Sequence, residues 1–335
     1  MSDMAGEDRR SAVISKPPCP DIGASMLLSA LTLLGRNGTR VLALGILVGL
    51  ALPGLARELK PWLPVAVAMT MVGSMLRLEW AEIARQIRAW PRVVLALAWL
   101  MVAAPVLVAV AARLLPLPPG LVTAMVLSAA APCIMSAPAI CLLLGLDGAL
   151  ALVVMVLAHL LAPMTVPPLA LGLVGVTLDI GMAELTLRLA GFVLGAAAAA
   201  EAIRRLVGRE RMRSHAEAVN GFNMLVLVVF AIAIMDGVTD AALADPGLVL
   251  VYLAAALVFN AALQAAGWLA FRRTGAPAAL AVGFMTGNRN MGLMWAALGA
   301  ETPIAITLYF AVAQLPMYIF PALQARTYRR WTRGH

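Results

Sequence analysis

Two short stretches decide how this chain folds. Residues 131–138 read APCIMSAP and residues 287–292 read GNRNMG, and each lies inside a long apolar run. Paired prolines, or glycines around polar residues, interrupt a helix. Irregular backbone at membrane depth survives only where protein or a water-filled cavity covers it. We therefore expect functional breaks in two transmembrane helices, the alternative being that Pro132 and Pro138 only kink a packed helix.

The composition outside these stretches is that of a membrane protein. Hydrophobic residues make up 62% of the 335 residues, charged residues 13%, and the mean hydropathy is +0.92. A soluble domain carries roughly 25% charged residues. The net charge of +8 comes from short connectors and tails, so it argues for membrane orientation rather than nucleic-acid binding. The three cysteines are too few for a disulfide framework.

The apolar runs predict an all-α integral membrane protein with ten transmembrane helices. The predicted spans are Thr39–Ala56, Trp62–Leu78, Val93–Ala112, Leu121–Leu146, Ala149–Val176, Leu185–Val207, Val219–Val238, Leu248–Phe271, Ala278–Leu298 and Ile304–Leu323. The connector Glu79–Arg92 is predicted to form an interfacial helix. The broken spans, four and nine, are five apart, which predicts two inverted five-helix repeats whose discontinuous helices cross near the bilayer midplane.

Domain boundaries and orientation follow from this count. We predict a cytoplasmic N-terminal tail at 1–38, a first repeat at 39–176, a second repeat at 185–323, and a basic cytoplasmic C-terminal tail at 324–335. Placing the N-terminus inside puts most of the 25 Lys and Arg residues on the inner side. The chain is thus expected to be a multi-pass protein of the cytoplasmic (inner) membrane with both termini cytoplasmic.

Several motifs, in order along the chain, resemble a known family. They are GSMLRL at 73–78, Ala131-Pro132, GLD at 145–147, LLAP at 160–163 and NMGL at 290–293. Together they resemble the bile acid:sodium symporter family, in the group that also holds arsenite-efflux permeases and riboflavin transporters. This resemblance implies a panel domain (spans 1, 2, 6 and 7) facing a core domain (spans 3–5 and 8–10). It also implies alternating access by core-against-panel movement and substrates that are mostly organic anions.

The chain departs from the sodium-coupled members at the positions that matter for sodium. Those members place a glutamate and a glutamine before the span-nine asparagine, and here the positions read Met285 and Arg289. Their Ser-Asn pair after the span-four break is here Ala137-Pro138, and their span-five hydroxyl is here His159. Sodium coupling is therefore doubtful, and we expect no metal site and no cofactor.

Arg289 is the strongest candidate site residue. A charge at the bilayer centre costs about 2.5–3.5 kcal/mol on insertion scales, so it rarely lies there without a role. Guanidinium suits carboxylate, sulfonate or phosphate, and half-helix N-termini at a crossing would add positive charge. We predict that Arg289 binds an anionic substrate and that its loss leaves folding intact. The alternatives are a structural ion pair and a misplaced span.

Its neighbours complete the predicted site. The candidate substrate-binding residues are Arg289, Asn288, Asn290, Ser136 and Cys133. The crossover backbone is assigned to Pro132, Pro138, Gly287 and Gly292. The two asparagines either orient a ligand or cap the half-helices. His159 either carries a coupling proton or stays neutral on a backbone carbonyl. Asn260 and Gln264 share a face of span eight and are expected to join helices.

These observations favour a transporter over an enzyme. Neither lysine, Lys16 or Lys60, follows a Gly-rich phosphate loop, and no histidine begins a His-Glu-x-x-His zinc motif. We expect a secondary active transporter whose partners are a small organic anion and the lipid bilayer, not nucleic acid. An arsenite-efflux-type permease that uses Cys133, or an auxin-efflux-type carrier, is the alternative with the same architecture.

Overall fold

The computed structural model describes residues 38–76, 90–174, 180–299 and 302–333. Within them the backbone is helical, and the one strand-like pairing is an isolated bridge between Cys133 and Arg289. The predicted N-terminal tail, apart from its last residue, and nearly all of the connector Glu79–Arg92 lie outside the described residues.

The helices are labelled by the apolar segments in chain order. They are α1 Gly38–Ala51, α2 Pro53–Leu76, α3 Trp90–Arg113, α4a Pro119–Ala130, α4b Ala137–Leu144, α5 Gly148–Val174, α6 Met182–Val207, α7 Ala216–Ala233, α8 Pro246–Phe271, α9a Ala276–Gly287, α9b Met291–Leu298, α10a Ile304–Val312 and α10b Gln314–Arg333. Helix α2 contains a 3₁₀ turn at Lys60–Trp62, and α3 contains a π-helical turn at Trp99–Ala103. Two short helices, Arg209–Ser214 and Val238–Ala244, border α7.

Helix length and hydropathy make the chain a multi-pass integral membrane protein. Within the described ranges, seven helical segments are long and apolar enough to cross a membrane. They are Pro53–Leu76, Trp90–Arg113, Gly148–Leu173, Met182–Val207, Ala216–Ala244, Pro246–Thr274 and Ile304–Thr332. Three shorter apolar helices, Val41–Ala51, Pro119–Ala130 and Ala276–Gly287, lie in the first, fourth and ninth predicted spans.

One predicted span boundary is wrong, and the predicted C-terminal tail is largely helical. The first span was expected to reach Ala56, but α1 ends at Ala51 because Leu52 leaves the helical region (φ −125°, ψ 71°) and Pro53 starts α2. Proline suits a first helical position, where its missing N–H costs nothing. The C-terminal tail expected at 324–335 is helical as far as Arg333, since α10b continues through a segment without proline or glycine.

Both predicted helix breaks are present, and they meet. The Ile134 N–H donates to the Asn288 carbonyl at 3.0 Å, and the Asn290 N–H donates to the Pro132 carbonyl at 2.7 Å. These bonds form the antiparallel bridge between the breaks. Because buried backbone groups need partners, each break satisfies part of the other's hydrogen-bonding demand. The two broken helices are therefore joined by their irregular segments.

Two groups of helices surround this junction. In one group α2 packs on α6 and α7, and α7 packs on α1. In the other, α4a packs between α3, α5 and α10a, and α8 packs along α9a. The α8–α9a contact is close because Gly287 faces the Asn260 carbonyl, which a Cβ at that glycine would approach to 2.7 Å.

Candidate functional site

A cavity of about 490 Å³ lies between the two helix groups and reaches the junction of the breaks. The α1, α2 and α7 group contributes Leu42, Val67, Thr70, Ser74, Glu217, Asn220, Asn223, Met224, Leu227 and Phe230. The other group contributes Ile134, Met135, Ser136, Ala139, Ile140, Leu143, Arg289, Asn290, Met291, Gly292, Gln314, Met317, Tyr318 and Pro321. The wall is mainly apolar with a few polar groups, which is typical of small-molecule sites.

Only some of the predicted site residues line the cavity. Arg289, Asn290, Ser136 and Gly292 lie on its wall. The other candidate contacts and crossover residues, which are Cys133, Asn288, His159, Pro132, Pro138 and Gly287, are not among the residues that line it. The side chains of Cys133, Asn288 and His159 are fully buried in the packed helices. Their surroundings therefore indicate packing and hydrogen bonding within the protein.

The first turns of two half-helices face the cavity. Helix α4b begins after Ser136, and Ala139 and Ile140 of its first turn belong to the wall. Helix α9b begins after Asn290, and Met291 and Gly292 belong to the wall. The N–H groups of Ala137, Ile140, Met291 and Leu293 in these turns already have partners, so what the two helix ends offer the cavity is mainly their partial positive charge. This end of the cavity therefore favours an anionic group.

The Arg289 side chain is 1% exposed and bound to backbone carbonyls. Its Nε donates to the Thr286 carbonyl at 2.8 Å, and its Nη1 donates to those of Leu100 at 2.9 Å and Ala131 at 3.1 Å. Its Nη2 has no hydrogen-bond partner among the described residues. No carboxylate of the described residues lies within ion-pair distance of Arg289. The structural ion pair considered from the sequence is therefore not found there.

These contacts bear on two expectations about Arg289. That its removal leaves folding intact stays a prediction, and the three carbonyls that accept from it argue against it. Half-helix N-termini were expected at the crossing, and those of α4b and α9b lie there; the partners of the guanidinium, however, include Ala131 and Thr286 at the C-terminal ends of α4a and α9a. Helix C-termini carry partial negative charge, so they stabilise the cation.

A chain of buried hydrogen bonds holds the end of α9a. Tyr328 Oη donates to Gln264 Oε1 at 2.7 Å, and Gln264 Nε2 donates to Asn260 Oδ1 at 2.6 Å. Asn260 Nδ2 donates to the Gly287 carbonyl at 2.7 Å and to Asn288 Oδ1 at 3.4 Å. This geometry agrees with a helix-joining role for Asn260 and Gln264. It gives Asn288 a capping role at the break rather than a place on the cavity wall.

Asn290 and His159 form a second bridge beside the break. Asn290 Oδ1 accepts from the Leu293 N–H at 3.0 Å and so caps α9b, while its Nδ2 lies 3.1 Å from His159 Nε2. His159 Nδ1 lies 2.8 Å from the Met155 carbonyl. One neutral tautomer, with Nδ1–H as donor and Nε2 as acceptor, satisfies both contacts. This favours the neutral reading of His159, and proton coupling stays a prediction.

Two acceptors on the wall were missed at the level of sequence. Asn223 Oδ1 and Gln314 Oε1 are buried and have no hydrogen-bond partner among the described residues. Gln314 Nε2 donates to the Phe310 carbonyl at 3.0 Å, which fixes the direction of its amide. The signal was available, because each is an amide side chain within an apolar span. Both residues line the cavity, but these two oxygens are themselves buried, and Asn223 Oδ1 lies against Gly73.

The fold and this site define a class of membrane protein. Interrupted helices that meet beside a cavity are typical of secondary transporters. The sequence model of the Sodium Bile acid symporter family matches residues 64–238, about half of the chain, and the chain belongs to this family. No curated protein matches the chain significantly. Members of the family are membrane transporters, not enzymes. The matched residues include the break in α4 but not the break in α9.

Proposed function

We propose that this chain is a secondary active transporter of a small organic anion, working by alternating access. The observation that carries the proposal is Arg289 on the cavity wall, a cation with no carboxylate of the described residues within ion-pair distance. The N-terminal turns of α4b and α9b border the same cavity. An anionic group there would lie beside the Arg289 cation and the two helix N-termini, while the apolar wall would cover the rest of the molecule.

The architecture we propose has ten spans in two inverted repeats, at 39–176 and 185–323. Matching helix contacts support it. The contact of α2 with α6 corresponds to that of α7 with α1, and the contact of α3 with α4a corresponds to that of α8 with α9a. The contact of α4a with α10a likewise corresponds to that of α9a with α5. The helix groups on either side of the cavity would be the panel and core domains that move against each other.

We propose that the protein lies in the cytoplasmic (inner) membrane with both termini in the cytoplasm. The distribution of Lys and Arg supports it. In that orientation Ser74, Leu143, Glu217 and Pro321 lie toward the cytoplasmic ends of their helices, and all four line the cavity. The structure would then be the inward-facing state.

We further propose that transport does not use sodium at the crossing. The family's name implies sodium, a hard cation that needs oxygen ligands. At the crossing the carbonyls of Leu100, Ala131 and Thr286 already accept from Arg289. Met285 and the Ala137-Pro138 pair supply no side-chain oxygen. The residues present at this position do not fit a sodium ion.

The geometry gives less support to the arsenite alternative. An arsenite site would use the Cys133 thiol, but Cys133 is fully buried and does not line the cavity. The auxin-efflux-type alternative moves organic anions as well, so it differs from the main proposal in family rather than in substrate chemistry.

A thermal-shift screen of the purified protein tests the proposed substrate class. Carboxylates, sulfonates, phosphates and arsenite would be added in sodium chloride and, separately, in choline chloride. We expect at least one organic anion to raise the Tm saturably, equally in both salts. A response to arsenite alone, or to no organic anion in either salt, would contradict the proposal.

A further inference from the structure

Three carbonyls around Arg289 have each lost the donor that a regular helix would supply. The first belongs to Leu100, in the π-helical turn of α3. The Ala104 N–H, which an α-helix would give to Leu100, donates to the Trp99 carbonyl instead. The next residue, Pro105, has no N–H to offer. The Leu100 carbonyl is therefore free of both helical donors, and Arg289 Nη1 donates to it.

The other two carbonyls are freed by the helix breaks. The Asn290 N–H, which a continuous helix would give to Thr286, donates to the Pro132 carbonyl. Ala131 turns extended (φ −61°, ψ 150°) at the end of α4a, which takes its carbonyl out of the helical ladder. Arg289 Nε and Nη1 donate to these two carbonyls. Oxygens from α3, α4a and α9a thus converge on one guanidinium.

We propose that these three carbonyls form a cation site whose permanent occupant is the chain's own Arg289 guanidinium. Rings of backbone carbonyls bind monovalent cations in membrane proteins, and the C-terminal ends of α4a and α9a add partial negative charge. Truncation of Arg289 at Cβ therefore opens a site for a free monovalent cation. Free guanidinium is the best match, because it offers the same planar set of donors.

A tethered cation has a consequence for the crossing. It cannot dissociate, so α3, α4a and α9a stay joined whatever the salt composition of the solution. This inference concerns the stability of the crossing and does not depend on which anion the protein carries. Its test therefore uses a stability measurement that needs no transport substrate.

The test is chemical rescue of Arg289→Ala, followed by thermal unfolding in detergent. Guanidinium chloride at low, sub-denaturing concentrations would be compared with urea and with choline chloride. We expect Arg289→Ala to have a lowered Tm, and guanidinium to restore most of the loss saturably. Sodium chloride in place of guanidinium asks whether a metal cation can occupy the same oxygens, and a rise in Tm with it would also support the site.

A matched control is available in Arg188. Its Nη1 donates to the carbonyls of Ala297 and Leu298, as Arg289 donates to carbonyls, but its side chain is 41% exposed and pairs with Glu184. Arg188→Ala should show no saturable rise in Tm with guanidinium, and neither should the wild type. The proposal is overturned if folded Arg289→Ala gains nothing from guanidinium or sodium beyond the effect of choline, or if Arg188→Ala gains equally.

A second pair of variants covers the case in which Arg289→Ala does not fold. Arg289→Lys keeps a cation on a long side chain, whereas Arg289→Met has similar reach and no charge. The proposal predicts a Tm order of wild type, then Lys, then Met. A Met variant as stable as the Lys variant would overturn it. Anion binding by the wild type is measured separately, so this inference and the proposed function can fail independently.

Discussion

Arg289 and Cys133 lie opposite each other in the antiparallel bridge that joins the two helix breaks. This backbone pairing fixes the position of the Arg289 Cα atom at the junction of α4a, α4b, α9a and α9b. From there its guanidinium reaches the Leu100 carbonyl on a third helix. The pairing explains how a charge can be buried here, because the two helix breaks and the π-helical turn of α3 supply its acceptors.

Close packing of α8 on α9a gives the first prediction. In Gly287→Ala the new Cβ would come within 2.5 Å of Gln264 Cγ and 2.7 Å of the Asn260 carbonyl. We expect a loss of about 1–3 kcal/mol in unfolding free energy from this overpacking. Gly191→Ala in α6 is the control, because its Cβ would meet nothing within 4 Å and should stabilise the helix by about 0.5–1 kcal/mol. Chemical denaturation would compare them, and equal stability would contradict the close contact.

The unpartnered amide oxygen of Gln314 gives the second prediction. Gln314→Met removes a buried acceptor that has no partner and also the Nε2 bond to the Phe310 carbonyl, so the ligand-free protein should be at least as stable as the wild type. Gln264→Met is the control, because both ends of that amide are bonded: its loss strands Asn260 Oδ1 and leaves Tyr328 Oη with only Gln324 Oε1 as a partner. The Gln264→Met variant should lose about 1–3 kcal/mol for the stranded group. A Tm of Gln264→Met above that of Gln314→Met would refute the hydrogen-bond partners assigned to these two amides.

The bridging role of His159 gives the third prediction. His159→Gln keeps one donor and one acceptor, so stability and the pH profile of uptake should be close to those of the wild type. His159→Phe leaves Asn290 Nδ2 without its partner and should cost about 1–3 kcal/mol, while the Met155 carbonyl keeps its helical backbone donor. Uptake measured against external pH would separate the two roles. Loss of pH dependence in His159→Gln would show that the imidazole carries a coupling proton.

Independence from sodium is the fourth prediction. Once the screen has supplied a substrate, its initial uptake rate into proteoliposomes should be the same in sodium, potassium and choline chloride. The reason is that Arg289 already holds the carbonyl oxygens that a cation at the crossing would need. Steep activation by sodium alone would mean that the ion binds at other oxygens and that the site was misassigned.

The helix breaks could be predicted from sequence because their signals are local. Proline and glycine disturb a helix through their own backbone chemistry, so Pro132, Pro138, Gly287 and Gly292 marked the two interruptions without any tertiary information. The importance of Arg289 was also visible, since a charge is costly at the centre of an apolar run.

The partners of Arg289 could not be predicted, because they are backbone atoms. Every residue has a carbonyl oxygen, so the amino-acid sequence does not distinguish Leu100, Ala131 or Thr286 as acceptors. Pro105 was a visible clue to a freed carbonyl in α3, but only the fold brings that turn to the break. The burial of the Cys133 and His159 side chains could not be predicted either, because it depends on packing between helices that are distant in the sequence.

The location of the substrate is the central claim, and a cavity-filling variant tests it most directly. Ala139 is exposed on the cavity wall in α4b, so Ala139→Trp should fill the cavity without disturbing the packed helices. Ala111→Trp, on an exposed position of α3 that is not among the residues lining the cavity, is the matched control.

The measurement is saturable uptake, into proteoliposomes, of the organic anion that the screen identifies. We predict that the wild type and Ala111→Trp take it up, while folded Ala139→Trp falls to the level of protein-free liposomes. Uptake by Ala139→Trp equal to that of the wild type would contradict the account.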